Sequence, residues 1–371
     1  MTEVLCVDNQ EGSLFVPDPR LLCPVVKELR CAEELITADD LHTHNQDCED
    51  EDERVGPYTF FVTLPPYSTA SESEPEPAIR LALTCRDRSC GVLVPHEPLA
   101  PKQLPHEGVD PFFFEKGFYL EAQTGFTVWP GSRLILEALT GSYKGFERML
   151  HWQNRMAKGM LNVLELGAGI GIVGACLAAA GADVLVTDLQ VLVDHAIVPN
   201  LRRNSHQGVD EKEEKELDNR SSTLTQSLLQ SLPETTPVHP IGRGHAAAHV
   251  LDWTKSPSSQ LPCETLSSID LIVGCDCAWM EKLIDPVLST IKVVFAKSIK
   301  AGKDPKMLMT YQRRGKNEVF STLEGFLKEA KIHGWSVECI AWRPVDIEED
   351  GENDVFLFEI TPGHELRQSF R

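Results

Sequence analysis

The sequence predicts an α/β protein: a mostly parallel sheet covered by helices on both faces and closed by an antiparallel final strand. Three observations lead there. Apolar, β-branched runs at 161–166, 183–187, 247–251, 269–275 and 306–311 alternate with stretches long enough for helices, the rhythm of strand–helix–strand units. Two further runs, 335–341 and 354–360, have only a polar loop around 347–354 between them, too short for a helical crossover, so they should pair as an antiparallel hairpin. The first run, Val163-Leu164-Glu165-Leu166, passes directly into Gly167, Gly169 and Gly171 and then into a helix-forming stretch.

At 371 residues the chain can bury a sizeable core and hold one or two domains. The economical organisation is one α/β domain over 111–371 and an N-terminal, β-rich extension over 1–110. That extension is Pro-rich, with acidic loops at Asp47–Glu53 and Ser71–Glu76. It contains one alternating run, Ile79 to Leu93 broken at Arg86–Cys90, which reads as a β-hairpin packed beside the main domain. A polar segment at about 205–245 includes the acidic stretch Asp210–Asp218 and ends in Pro237, His239 and Pro240. It interrupts the rhythm before the third strand and reads as an insertion, within which 223–232 is spaced for a turn or two of amphipathic helix.

The net charge of −21 argues against broad phosphate-backbone binding, so no nucleic-acid partner is expected and a basic or neutral one fits better. The acidic runs themselves read first as solvated loops. Eleven scattered cysteines, with neither a hydrophobic N-terminal signal region nor a membrane-length apolar span, describe an intracellular chain, cytoplasmic or also nuclear, without a membrane partner. No metal site is expected: Cys275 and Cys277 lack paired C-x-x-C clusters, and His42 and His44 have no second pair of ligands.

The glycine turn carries the chemistry. A buried strand, a tight turn and a helix N-terminus set backbone N–H groups against a nucleotide-like ligand, and glycine lets it approach closely. A plain tight turn is the competing reading of a lone glycine triplet. Against it, Val184-Leu185-Val186-Thr187 ends in Asp188 about 20 residues on, the reach at which an acid meets ribose hydroxyls, although Asp at a strand end also caps helices. A dinucleotide fingerprint would need its third glycine at Ile172. The pattern here, Glu165-x-Gly167-x-Gly169-x-Gly171, resembles the S-adenosyl-L-methionine (AdoMet) loop of class I methyltransferases, whose seven-stranded Rossmann-like sheet has a reversed final strand.

Four more segments extend the likeness to the seven-β-strand protein-lysine methyltransferases, in order over roughly 120–360. Thr124-Gly125-Phe126-Thr127-Val128-Trp129-Pro130 is similar to the family's Thr-Gly-x-x-Val-Trp-Pro. Leu251-Asp252-Trp253 is similar to its Leu-x-Trp, and Tyr311-Gln312-Arg313-Arg314 to its Tyr-x-x-Arg. Asp276-Cys277-Ala278-Trp279 follows the fourth strand where the family has Asp-x-x-Tyr, a departure at the aromatic position. The resemblance implies AdoMet as cofactor, with Glu165 toward the methionine ammonium, the three glycines admitting the ligand, Asp188 on the ribose, Asp252 and Trp253 bordering adenine, and Trp129 and Cys275 beside the pocket. Asp276 and Trp279 then serve catalysis.

Methyl transfer from a sulfonium is an in-line displacement, so the site must hold a neutral amine close to the methyl carbon and exclude water. Asp276 would accept a hydrogen bond from the amine while Trp279 and Trp129 wall the channel. The competing readings are a helix cap for Asp276 and core packing for Trp279. Cys277-Ala278 lacks the Pro-Pro of enzymes that methylate planar amines, which demotes nucleobases and amides. The resemblance thus implies a monomeric enzyme methylating a lysine of another protein. A protein-histidine or small-molecule methyltransferase and a catalytically idle AdoMet-binding module remain as alternatives.

Overall fold

The computed structural model describes residues 7–8, 14–15, 36–37, 58–64, 79–85, 125–140, 147–205, 228–313, 320–343 and 355–368. In the N-terminal part, β1 (Val7–Asp8) and β2 (Leu14–Phe15) form a small antiparallel pair, and β3 (Ile36–Thr37), β4 (Tyr58–Leu64) and β5 (Ile79–Cys85) form a three-stranded antiparallel sheet. The alternating run at Ile79 is therefore a strand, but its described partner is β4, upstream. The second arm expected at 91–93 lies outside the described residues.

Among the described residues the main sheet has eight strands: β6 (Asn162–Leu166), β7 (Asp183–Asp188), β8 (Val238–Ile241), β9 (Gly244–Val250), β10 (Leu271–Cys275), β11 (Lys306–Gln312), β12 (Ser336–Arg343) and β13 (Val355–Thr361). Their order is β12-β13-β11-β10-β6-β7-β9-β8. The five strands from β11 through β10, β6 and β7 to β9 are parallel, and β13 runs antiparallel between β11 and β12, the expected final hairpin.

The seven expected strands are all present, and β8 adds an eighth at the end of the segment read as an insertion. It folds back on β9 through a turn at Gly242, whose φ is +57°. Pro240, which donates no ladder hydrogen bond, is tolerated because β8 is an edge strand. Within the same segment Leu228–Ser231 forms a short 3-10 turn, while 206–227 lie outside the described residues.

The central strands are buried on both faces, and period 2 distributes their side chains between two cores. Val163, Val184, Val186, Leu271, Val273 and Leu308 belong to one, while Leu164, Leu185, Ile272, Met307, Met309 and Tyr311 belong to the other. The first core is covered by α1 (Pro130–Thr140), α2 (Glu147–Ala157) and α3 (Ile172–Ala179), whose eight residues are all buried. After β7 come α4 (Gln190–Leu192), a π-helical turn (Val193–Ile197) and α5 (Val198–Asn204). The second core is covered by α6 (Cys263–Ser268), α7 (Glu281–Lys300) and α8 (Leu323–Ile332), and α9 (His364–Gln368) ends the described chain.

Beyond β6 the chain leaves toward β7 on one side, and β10 lies on the other. This switch point opens a crevice past the carboxyl ends of β6 and β10, where open α/β sheets bind ligands. Ile272, fully buried in the middle strand that borders the crevice, is expected to cost about 2–4 kcal/mol when replaced by alanine. Urea unfolding should show this as a lower midpoint at unchanged slope.

Candidate active site

The glycine turn is shaped by backbone crowding. Gly167, Gly169 and Gly171 all have left-handed φ, at +62°, +58° and +80°. At Gly169 space is also missing, since a Cβ would lie 2.7 Å from the Gly125 carbonyl oxygen. That carbonyl belongs to the segment leading to Trp129, which is thereby laid against the turn. Pro130 opens α1, and Ser132 N–H closes its first bond on the Trp129 carbonyl at 2.9 Å. One residue on, a Cβ at Gly131 would meet the Thr310 hydroxyl, so α1 packs tightly on β11 beside the crevice.

Two carboxylates stand at the ends of adjacent strands. Glu165, on β6, is 2% exposed and its Oε2 accepts the Gly174 N–H at 2.9 Å. Asp188, the last residue of β7, is 9% exposed; Oδ2 accepts the Gly169 N–H at 2.8 Å and Oδ1 the Leu189 N–H at 2.7 Å. Asp188 thus clamps the glycine turn and does not cap α4, whose N-cap is Leu189 without a side-chain bond.

Burial pushes the Glu165 carboxyl up to about 8, opposed by the Gly174 N–H and helped by the nearby Asp188 charge. Burial likewise pushes Asp188 up to about 6 against its two backbone donors. Among the described residues no lysine or arginine is paired with either. A buried acidic pair without a cation is a site for a cationic ligand, and AdoMet, with an ammonium and a sulfonium, has the charge that it lacks.

The far wall is Trp253 and the segment after β10. A Cβ at Gly167 would come within 3.0 Å of the Trp253 ring and 3.3 Å of Cys277 Cβ, so these three residues meet over the turn. The Trp253 indole N–H is buried without a hydrogen-bond partner. Asp252, beside it, is held by its own turn. Its Oδ1 accepts the Thr254 N–H and hydroxyl at 3.0 and 2.6 Å, its Oδ2 lies 2.9 Å from Lys255 Nζ, and these partners hold it below the usual carboxylate range. The carboxylate therefore stabilises a partly exposed turn directly before and after Trp253. Cys275, partly buried at the end of β10, has its thiol raised by burial and by the Glu165 charge, with the Ser132 hydroxyl opposing.

Asp276 is the only non-glycine residue with positive φ, +56°, among the described residues, and it is 3% exposed. Asp tolerates this conformation better than most residues, yet it is adopted at a cost that the surroundings must meet. Two bonds to β11 do so: Asp276 N–H donates to the Thr310 carbonyl at 3.1 Å, and Oδ1 accepts the Gln312 N–H at 3.0 Å. The helix-cap reading fails, because α7 begins at Glu281 with Met280 as N-cap.

Further along, Trp279 is partly buried and its ring centroid lies 6.2 Å from that of Phe320. Ser321 N–H donates to the Trp279 carbonyl at 3.0 Å, the Ser321 hydroxyl donates to the Ala278 carbonyl, and the Tyr311 hydroxyl donates to the Ser321 carbonyl at 2.7 Å. The segment 276–280 is thus held between β11 and 320–321, and Trp279 is part of an aromatic wall rather than of the core.

Gln312, Phe320, Ser321 and Asn200 were not among the residues singled out from sequence. Gln312 had a signal, standing inside Tyr311-Gln312-Arg313, and its Oε1 is buried with no hydrogen-bond partner. Phe320 and Ser321 had none, since they reach the site only through the return of the chain after β11. Arg314 lies outside the described residues.

Strand order, reversed last strand, glycine turn and acidic pair define a class I methyltransferase, the class that uses AdoMet. Residues 119–231, which hold the Trp129 segment, the glycine turn and Asp188, match a family model described as lysine methyltransferase. Among solved structures, the chain is similar to magnesium protoporphyrin IX methyltransferase from Synechocystis with bound SAH, at 11% identity and a TM-score of 0.34, over 68% of this chain and 97% of that one. It is also similar to TYW2 of Pyrococcus horikoshii in complex with MeSAdo, at 16% identity and a TM-score of 0.30, over 56% of this chain and 61% of that one, which is less than two thirds of its length. The fold assignment rests on strand order and register, not on these overlaps.

Because Glu165 and Asp188 have raised pKa values, the stability that they contribute is fully present below their ordinary values of 4.5 and 3.8 and is lost as pH rises through about 8 and about 6. A cationic ligand favours the ionised pair, so AdoMet binding should release protons near pH 7 and tighten as pH rises from about 6 to about 8. Calorimetry in two buffers of different ionisation heat should register the release, and Glu165→Gln should remove most of it. Equal heats in both buffers for the unmodified chain would dismiss the acidic pair as the ammonium site.

Proposed function

We propose that the chain is an AdoMet-dependent protein methyltransferase that acts on a lysine side chain of another protein. The observation that carries this reading is Asp276, held by two bonds to β11 in a left-handed conformation at the mouth of the crevice. The lysine methyltransferase description of the matching family supports the same substrate class.

When bound, AdoMet supplies a methyl group on a cationic sulfur that an amine nitrogen displaces. In this reading the chain's own residues do the rest. Glu165 and Asp188 balance the positive charge, and Asp188 also fixes the turn through Gly169. A lysine amine has an ordinary pKa near 10.4 and must arrive neutral, and burial beside a positive charge lowers it. Asp276, its rotation set by the Gln312 N–H, accepts from the amine, and Gln312 Oε1 is a second acceptor on the adjoining residue. Trp279 with Phe320, and Trp129 at the head of α1, line the approach and exclude water. The enzyme works as a monomer in the cytoplasm or nucleus on this reading. No described helix is long and apolar enough to cross a membrane.

The test is incubation with labelled AdoMet and lysate, followed by mapping of the label by mass spectrometry. Label on protein lysine supports the proposal; label on histidine or on small molecules only replaces it with another substrate class. Asp276→Asn is the informative variant, since asparagine tolerates the left-handed conformation and keeps an acceptor for the Gln312 N–H. It should leave the AdoMet dissociation constant within about twofold and lower turnover by about 100-fold or more, the scale of lost orientation. Unchanged turnover would deny Asp276 that role.

A further inference from the structure

The free edge of the N-terminal sheet is met by two asparagines. Among the described strands β5 lies at an edge, and the backbone groups of Ala82 and Thr84 on that edge are bonded by side chains of α5 instead of a further strand. Asn204 accepts the Ala82 N–H at 2.9 Å and donates to the Ala82 carbonyl at 2.9 Å. Asn200 accepts the Thr84 N–H at 2.9 Å and donates to the Thr84 carbonyl at 3.1 Å. A carboxamide carries one acceptor and N–H donors in a plane, as a peptide group does, so each asparagine stands in for one residue of a missing strand.

The match is metric as well as chemical. Four residues of helix rise about 6 Å and two residues of strand about 6.8 Å. Asparagines spaced i, i+4 therefore meet alternate residues of β5. Both side chains are buried, at 2% and 1% exposure.

The two asparagines differ in one respect. The second N–H of Asn204 returns to its own helix, to the Asn200 carbonyl at 2.8 Å. The second N–H of Asn200 leaves the helix and donates to the Ile170 carbonyl at 2.9 Å. Ile170 lies between Gly169 and Gly171, inside the glycine turn. The π-helical turn at Val193–Ile197 inserts an extra residue just before α5 and so resets the face that α5 presents, a feature frequent at functional sites. One side chain thus ties β5 to the turn that Asp188 clamps at the preceding residue, through Gly169 N–H.

We infer that Asn200 is a positioning residue for the glycine turn, and that through it the N-terminal strand β5 is a working part of the cofactor site. The inference rests on the reading of that turn as the AdoMet loop. The Asn200 carboxamide uses its oxygen and both N–H donors, and aspartate, with no donor, cannot take its place. Losing it leaves the Ile170 carbonyl, buried at 1% residue exposure, without this donor, and the turn then relaxes away from the geometry that receives a ligand.

The test compares full-length Asn200→Ala, Asn204→Ala and Thr84→Pro by amide hydrogen exchange over the turn in the ligand-free chain and by AdoMet calorimetry. Asn204→Ala breaks as many bonds to β5 as Asn200→Ala but spares Ile170, so it should lower the melting temperature and leave turn exchange and AdoMet affinity unchanged. Asn200→Ala should speed exchange across 167–171 and weaken AdoMet by about tenfold each. Thr84→Pro removes an N–H that points away from β4, so it unseats Asn200 without altering it, and it should move both readouts in the same direction. It carries the test if Asn200→Ala does not fold.

Turn exchange unchanged in Asn200→Ala and Thr84→Pro, or raised equally by Asn204→Ala, overturns the inference. An unmodified chain that binds no AdoMet refutes the cofactor reading and with it the claim on the cofactor site, while the exchange comparison still decides whether Asn200 positions the turn.

Discussion

Two carboxylates buried side by side at the tips of β6 and β7, with no described lysine or arginine to pair with them, are the constraint around which the rest of the site is arranged. Carboxylates in a low-dielectric crevice are costly to ionise: burial raises the pKa of both, and the Asp188 charge adds to the rise at Glu165. The chain accepts that cost only because the same groups also serve the backbone: Glu165 holds the start of α3 through Gly174, and Asp188 holds the glycine turn. A cationic ligand relieves the repulsion without disturbing either bond, since each carboxylate oxygen can accept more than one donor. Cofactor charge and loop geometry are thus joined in two residues.

The opposite wall follows a different logic. There the constraint is conformational: Asp276 occupies a backbone region unusual for a residue with a side chain, and β11 supplies both an acceptor and a donor to keep it there. The segment 276–280 is then pinned along its length by Ser321, which Tyr311 in turn holds. A rigid wall of this kind suits a reaction in which a nucleophile must stay aligned with a bond being broken. The N-terminal sheet enters through Asn200, so the turn is braced at adjacent residues, by Asp188 of β7 at Gly169 and by Asn200, which also bonds β5, at Ile170.

Much of this was legible in the sequence because it depends on local pattern. The apolar runs gave the seven strands, the polar loop around 347–354 gave the reversed hairpin, and Glu165 with the spaced glycines gave the ligand turn. Other features carry a weaker signal. β8 closes a polar segment read as an insertion, and its Pro240, which looks like a breaker, is tolerated on an edge strand. The Ile79 run is a strand whose described partner is upstream, at Tyr58–Leu64, while the expected second arm at 91–93 lies outside the described residues. The partners of the Asp252 carboxylate, Thr254 and Lys255, lie two and three residues on.

By itself, then, the sequence determined the class of fold, the position of the glycine turn, and the acids at Glu165, Asp188 and Asp276, since each is encoded in a short stretch with a characteristic period or spacing. Only the tertiary structure decided what those acids do to one another and who holds them. That Glu165 and Asp188 share one buried crevice depends on parallel pairing of β6 with β7; that Asp276 is braced depends on β11, 36 residues away along the chain. That Asn200 links Thr84 to Ile170 depends on a helix, a turn and a strand separated by 30 and 116 residues. Contacts at such separations leave no local pattern to read, because they are fixed by how the sheet and its helices pack and not by any single segment's preference.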